Sequence, residues 1–294
     1  MTVVNPSVDA TIRVLRKASV EFSALGPWRW QCVMQNGSAL PLTAALEDGF
    51  LHLAGRLEAK TRTGRELEQA LREDHRLAGG VKFALSSASG GLHLRSEIPF
   101  TEEARLVDRV HRALVGFHQG CERLKALDCP HADAAPVPAT APVMDLGDLL
   151  REASWPCSER GPNDFAVDLH LASAPPARAS ATAGGIELRI DLVRCAPAEH
   201  VPSQALAVFL LTANGALRMV RAHVLEIEEM VFGFHVCLEA PTAEEVDHAL
   251  AAISIAHRAC AREASVLLDE AAARCYLAVR NVPLLSNQEN EKEN

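Results

Sequence analysis

His and Cys stand three residues apart twice in this chain, in HQGCER at 118–123 and HRACAR at 257–262. On a helix that spacing puts both side chains on one face. Two such helices meeting at one height would offer two imidazoles and two thiols to zinc. A core position copied when the chain doubled explains the same pattern for His118, Cys121, His257 and Cys260, so no metal is expected. Cys129 and His131 are two ligands on a Pro/Ala-rich stretch, too few for a closed site. Glu226, Glu228 and Glu229 gather at a hairpin where a carboxylate pair could divide acid–base work, but they are read as a solvated turn. Ser19 and Ser154 have no His or Asp at the spacing of an activated nucleophile. GxSxG, a glycine-rich phosphate loop and HExxH are all absent. No catalytic residue and no cofactor is assigned, and the chain is not expected to be an enzyme.

What positions these residues is a repeat. LRKAS at 15–19 returns as LREAS at 150–154, GPWRW at 26–30 as GPNDF at 161–165, and GFLHLAGRL at 49–57 as GGIELRIDL at 184–192, always with a shift of 135 residues. A period this long is a domain, since solenoid units run about 20–50 residues. The expected domains are therefore 1–127 and 145–285, joined by a Pro/Ala-rich linker at 128–144 and followed by a disordered polar tail at 286–294.

The 294 residues suit two domains, and 48% hydrophobic with 23% charged residues describes an ordinary globular chain. A net charge of −9 argues against a nucleic-acid partner. Residues 1–127 carry +3 and 128–294 carry −12, so the copies have diverged in charge. No apolar run approaches the roughly 18 residues of a membrane helix, and the N-terminus does not read as a signal peptide. A bacterial cytoplasm is the expected location. The eight cysteines show no CxxC and read as buried hydrophobes of a reducing compartment.

Periodicity predicts a helix over 7–23 ended by Gly26-Pro27, and a strand alternating through Trp28, Trp30, Cys32 and Met34 to a turn at Asn36-Gly37. Strands follow at 39–46 and 50–57, then an amphipathic helix at 64–77, a strand from Val81 to Leu85, another from Leu92 to Ile98, and a long helix capped at Thr101. The second copy predicts a helix at 145–155, strands at 165–171, 177–183 and 185–193, a helix at 202–213, strands at 217–226 and 229–239, and one helix over 242–277. The helix at 202–213 is apolar all round and so expected to be buried on more than one side. In the last helix Val246, Leu250, Ile253, His257, Cys260, Ala264, Leu267 and Ala271 fall at the spacing of a coiled-coil seam. Segregated helices and hairpins make the fold α+β, as two tandem copies of helix–three strands–helix–two strands–helix with antiparallel sheet.

The early helix before a Trp-bearing strand (Trp28, Trp30), EDGFLHLAGRL at 47–57 with its following helix, and VKFALSSASGGLHLRSEIPF at 81–100 together resemble the class I type III secretion chaperones, the Tir chaperone family. The bacterial sensory-transduction regulators share the order. The resemblance covers 7–127 well and 145–277 more loosely. It implies an internal pseudo-dimer in which Leu67 and Leu71 of one middle helix face Leu206, Phe209 and Leu210 of the other. It further implies a non-catalytic module that holds a partially unfolded segment of a secreted effector-like client. An extended client could add to an exposed sheet edge, with Trp28, Trp30, Leu51 and Leu53 as the expected contact surface. The alternative is a structural or regulatory protein that forms homo-oligomers through its C-terminal helix.

Overall fold

The computed structural model describes residues 7–18, 20–33, 40–57, 62–86, 90–100, 102–127, 145–172, 174–182, 185–196, 200–226 and 228–284. The turn at Asn36-Gly37, the linker over 128–144 with Cys129 and His131, the Thr101 cap, Ser19, Met34 and the tail at 286–294 lie outside them. Within them the chain is α+β, with seven helices and two antiparallel six-stranded sheets.

Its contacts gather into two compact units that do not follow the copies. The first contains α1 (Val8–Lys17), β1 (Glu21–Gly26), β2 (Arg29–Val33), β3 (Pro41–Glu47), β4 (Phe50–Arg56), β5 (Lys82–Leu85), β6 (Leu92–Pro99) and α3 (Glu103–Leu127). It also takes Asn214–Arg221 from the second half of the chain. The second unit has α4 (Leu146–Glu152), β7 (Cys157–Gly161), β8 (Asp164–Val167), β9 (Ala177–Thr182), β10 (Gly185–Cys195) and α5 (His200–Asn214) up to Ala213. To these it adds β11 (Arg221–Glu226) from Ala222, β12 (Met230–Leu238), α6 (Ala243–Val266) and α7 (Glu270–Val279). It takes Lys60–Arg72 in exchange, which is most of α2 (Gly64–Asp74).

The first sheet runs β1-β2-β3-β4-β6-β5 and the second, in the same sense, β7-β8-β9-β10-β12-β11. In the first unit the sheet buries Leu42, Ala44, Leu46, Leu51, Leu53 and Leu94 at alternate positions, as half-covered antiparallel strands require. Leu106, Val110, Ala113 and Phe117 of α3 complete that core at helical spacing. The loop after α2 reaches α3 through two glycines. Gly79 has φ +62°, and a Cβ there would lie 2.3 Å from Ala113 N; one on Gly116 would lie 2.1 Å from Ala78 O. In the second unit α6 packs on β10 and β12, burying Val246, Leu250 and Ile253 with Ile186, Leu188 and Ile190.

Three elements differ from expectation. α1 ends at Lys17, and Glu21–Gly26 is a strand, so Gly26-Pro27 turns a hairpin instead of ending a helix. A hairpin turn recurs at Gly161-Pro162, although Asn163 has φ +57° where its counterpart Trp28 is not left-handed, and β7 is again an unexpected edge strand. The last helix is two helices: Leu267 caps α6, and the Asp269 side chain starts α7 by accepting from Ala272 N at 2.9 Å. The coiled-coil-like stripe of α6 is filled by its own sheet. No helix of the described residues is long and apolar enough to cross a membrane.

Candidate partner-binding surface

β1 is the outer strand of the first sheet, and its hairpin with β2 carries three large apolar side chains into solvent. Leu25 is 59% exposed, Trp28 48% and Val33 47%. Trp30 and Cys32 of β2 point the other way and are buried, and burial pushes the Cys32 thiol up to about 11. Of the four residues expected on the contact surface, only Trp28 is therefore open to solvent. Trp30, Leu51 and Leu53 are at most 2% exposed because alternation puts them on the core face of β2 and β4. Leu25 and Val33 are the surface residues that pattern reading missed. The signal lay in the repeat, since the shift of 135 pairs Leu25, Trp28 and Val33 with Arg160, Asn163 and Asp168. The inward Trp30 and Cys32 pair with Phe165 and Val167. Arg160, Asn163 and Asp168 are all exposed, on a hairpin that keeps the same register down to a shift at the same place, before Gly26 and before Gly161.

The residues expected between the copies are gathered in the second unit. Leu67, Leu71, Leu206 and Leu210 are buried. Phe209 is half-buried, its ring edge-on to Tyr276 at 6.4 Å. α2 meets α5 where Ser203 Oγ donates to Glu68 Oε2 at 2.6 Å, and meets the chain after α7 where Gly64 N donates to Pro283 O at 3.3 Å. Arg72 bridges to Glu68 at 2.8 Å and pairs with Glu226, so Glu226 is bound into this packing and is not one of a free carboxylate pair.

The first unit holds a matching polar arrangement that periodicity did not reveal. Lys82, which opens β5, is fully buried and spends its three donors on Glu97 Oε2 at 2.9 Å, Leu217 O at 2.6 Å and Val220 O at 3.1 Å. Arg221, which opens β11, donates to Leu77 O at 2.9 Å and Val81 O at 3.2 Å. Each cation thus bonds the carbonyl of the residue just before the other. Asn214 Nδ2 adds a bond to Phe83 O at 2.9 Å, and Asp74 accepts from Phe83 N. Burial drives the Asp74 carboxyl up to about 7 against the opposing pull of Arg221, the Phe83 amide and Lys82. Burial also lowers the pKa of Lys82, with Glu97 opposing. A basic residue after a valine opens β5 and β11, which hold equivalent places in the two sheets, but Arg221 stands four residues beyond the partner that the shift of 135 gives Lys82.

Three of the four residues in the His–Cys pairs are helix-packing positions. Cys121, His257 and Cys260 are buried while His118 is exposed, and burial raises both thiols, that of Cys260 to about 11. Among the described residues no group of three or more His, Cys, Asp or Glu side chains is gathered as a metal site. No protein-family model, curated protein or solved structure matches this chain.

Proposed function

We propose that this chain is a non-catalytic protein-binding module of the secretion-chaperone kind, acting in a bacterial cytoplasm. Two copies of one unit pair within it, and the outer hairpin of the first holds a partially unfolded segment of a client. One observation carries this. Where the first copy exposes Leu25, Trp28 and Val33, the second folds the same hairpin with Arg160, Asn163 and Asp168, so folding does not require apolar groups there. Exposed apolar groups on an edge strand invite association and are normally selected against. Retained together, they suit an extended segment that adds beside β1 through main-chain hydrogen bonds and lays alternate side chains on Leu25 and Trp28. Such a holder acts by mass action on the unfolded client and needs no nucleophile.

Internal pairing is supported by the reciprocal bonds of Lys82 and Arg221 and by the exchange of Lys60–Arg72 for Asn214–Arg221. A contact in which residue i meets j while the counterpart of j meets the counterpart of i is the mark of two-fold pairing.

The test is a graft of the second copy's residues onto the first, Leu25→Arg, Trp28→Asn and Val33→Asp together. Light scattering of a chemically unfolded model protein diluted into native buffer should fall with wild type present and stay high with the graft, while both give the same circular dichroism. Equal suppression by the two proteins would remove the hairpin from the function. The alternative, self-association through the C-terminal helix, draws support from Ile255, 64% exposed on α6. It would be favoured if wild type suppressed nothing and Ile255→Asp lowered the mass measured by sedimentation.

A further inference from the structure

We propose that the second unit carries a binding cleft for a small soluble oxyanion, recognised through its phosphate or carboxylate groups. The cleft, of about 420 Å³, is lined by Arg160 of β7, Arg178 of β9, and Arg189 and Arg194 of β10, together with Glu228 and Glu229 between β11 and β12. That size lies within the roughly 300–1,000 Å³ of small-molecule sites. Residues 128–294 hold 12 basic side chains against 24 acidic ones, so four guanidiniums in one cleft are a local concentration that composition does not supply.

Among the described residues, two of the four are paired with carboxylates and two are not, which leaves positive charge over in the cleft. In the β9–β10 register Arg178 and Arg189 are direct cross-strand partners, and neighbours so placed stand on one face of the sheet. Like charges in that position weaken strand pairing. Arg178 Nε is bonded to Asp164 at 2.8 Å and also feels the charge of Glu187, and Arg194 Nη2 is bonded at 3.1 Å to Asp191, itself on the lining, with Glu229 3.9 Å from Arg194 Nη1. Among the described residues, neither Arg160 nor Arg189 has a carboxylate within ion-pair distance. Guanidinium forks bind carboxylate and phosphate oxygens two at a time, so an oxyanion between Arg178 and Arg189 turns a repulsive pair into a clamp. Glu228 and Glu229 on the lining, within a strongly acidic half of the chain, disfavour a long polyanion, and the occupant is accordingly small. This cleft is independent of the client-holding role of β1.

The experiment is isothermal titration of the full chain with inorganic pyrophosphate and, separately, citrate, at matched ionic strength and with sodium chloride as control. At least one anion should bind saturably at a single site. Arg189→Gln should weaken it by about tenfold or more, while its melting temperature without ligand equals or exceeds that of wild type because the like-charge contact is gone. Arg151→Gln changes an exposed α4 residue paired with Asp148, outside the cleft, and should bind as wild type does. Should Arg189→Gln fail to fold, Arg160→Gln must show the same loss. The proposal is overturned if neither anion saturates, if the cleft variants bind undiminished, or if Arg151→Gln loses as much as they do.

Discussion

β1 folds back on β2 and β7 on β8 in the same register, and in both hairpins the register slips one step before the glycine of the turn. Inside, they are alike: Trp30 and Cys32 in one, Phe165 and Val167 in the other. Outside they diverge, with Leu25, Trp28 and Val33 against Arg160, Asn163 and Asp168. A second pair of equivalents shows the opposite behaviour. Lys82 and Arg221 remain basic in both copies although each is buried. Buried cations are thus held alike at these two places, while the exposed residues of the two hairpins have parted. The comparison separates what folding of the hairpin requires from what varies on its surface.

The largest effect should follow from breaking the buried cations. Lys82→Met takes from buried Glu97 the nearer of its two charge partners, leaving Arg95 at 3.4 Å, and should cost about 3–5 kcal/mol in urea denaturation. Arg221→Met leaves backbone carbonyls without donors and should cost less, about 1–3 kcal/mol. Equal losses would erase the distinction between a charge pair and a carbonyl clamp.

Next comes a pH effect on the same cluster. The Asp74 carboxyl titrates near 7 when folded and near 3.8 in the unfolded chain. Between those values the unfolded chain ionises while the folded one stays protonated, so stability falls as pH rises from about 4 to 7, by a few kcal/mol. Asp74→Asn should remove that fall from the pH series. A variant whose curve stays parallel to wild type would place the charge elsewhere. His52, His93 and His257, whose burial depresses their pKa, act the other way: their contribution is lost as pH falls below their ordinary 6.5, in both proteins.

The smallest effects on stability are expected at the surface. The hairpin graft should change the unfolding free energy by only about 0.5 kcal/mol. A much larger loss would mean that Leu25, Trp28 and Val33 serve folding. Ile253→Ala, beneath α6, should cost about 2–4 kcal/mol, whereas Ile255→Ala on its open side should cost almost nothing.

Much of this fold was legible because apolar periods were clear: β3, β4, α3 and the all-apolar α5 lie where their patterns put them. β7, with sequence CSERG, has no apolar alternation because an edge strand buries little, and β1 was masked by a Phe22 that also fits helical spacing. The break between α6 and α7 leaves no gap in the seam, since Leu267 continues it; the Asp269 cap makes the break. Lys82 reads as the solvent face of its strand, and only long-range packing buries both faces of β5. At the candidate surface, alternation found Trp30 but misplaced it, because a period of two says which residues share a face and not which face meets water.

Amide hydrogen exchange of the full chain, with and without an unfolded apolar peptide in excess, tests the central claim most directly. Added protection should appear in Glu21–Gly26 and leave Cys157–Gly161 unchanged. Protection of both edges alike, or of neither while the peptide is demonstrably bound, would contradict it.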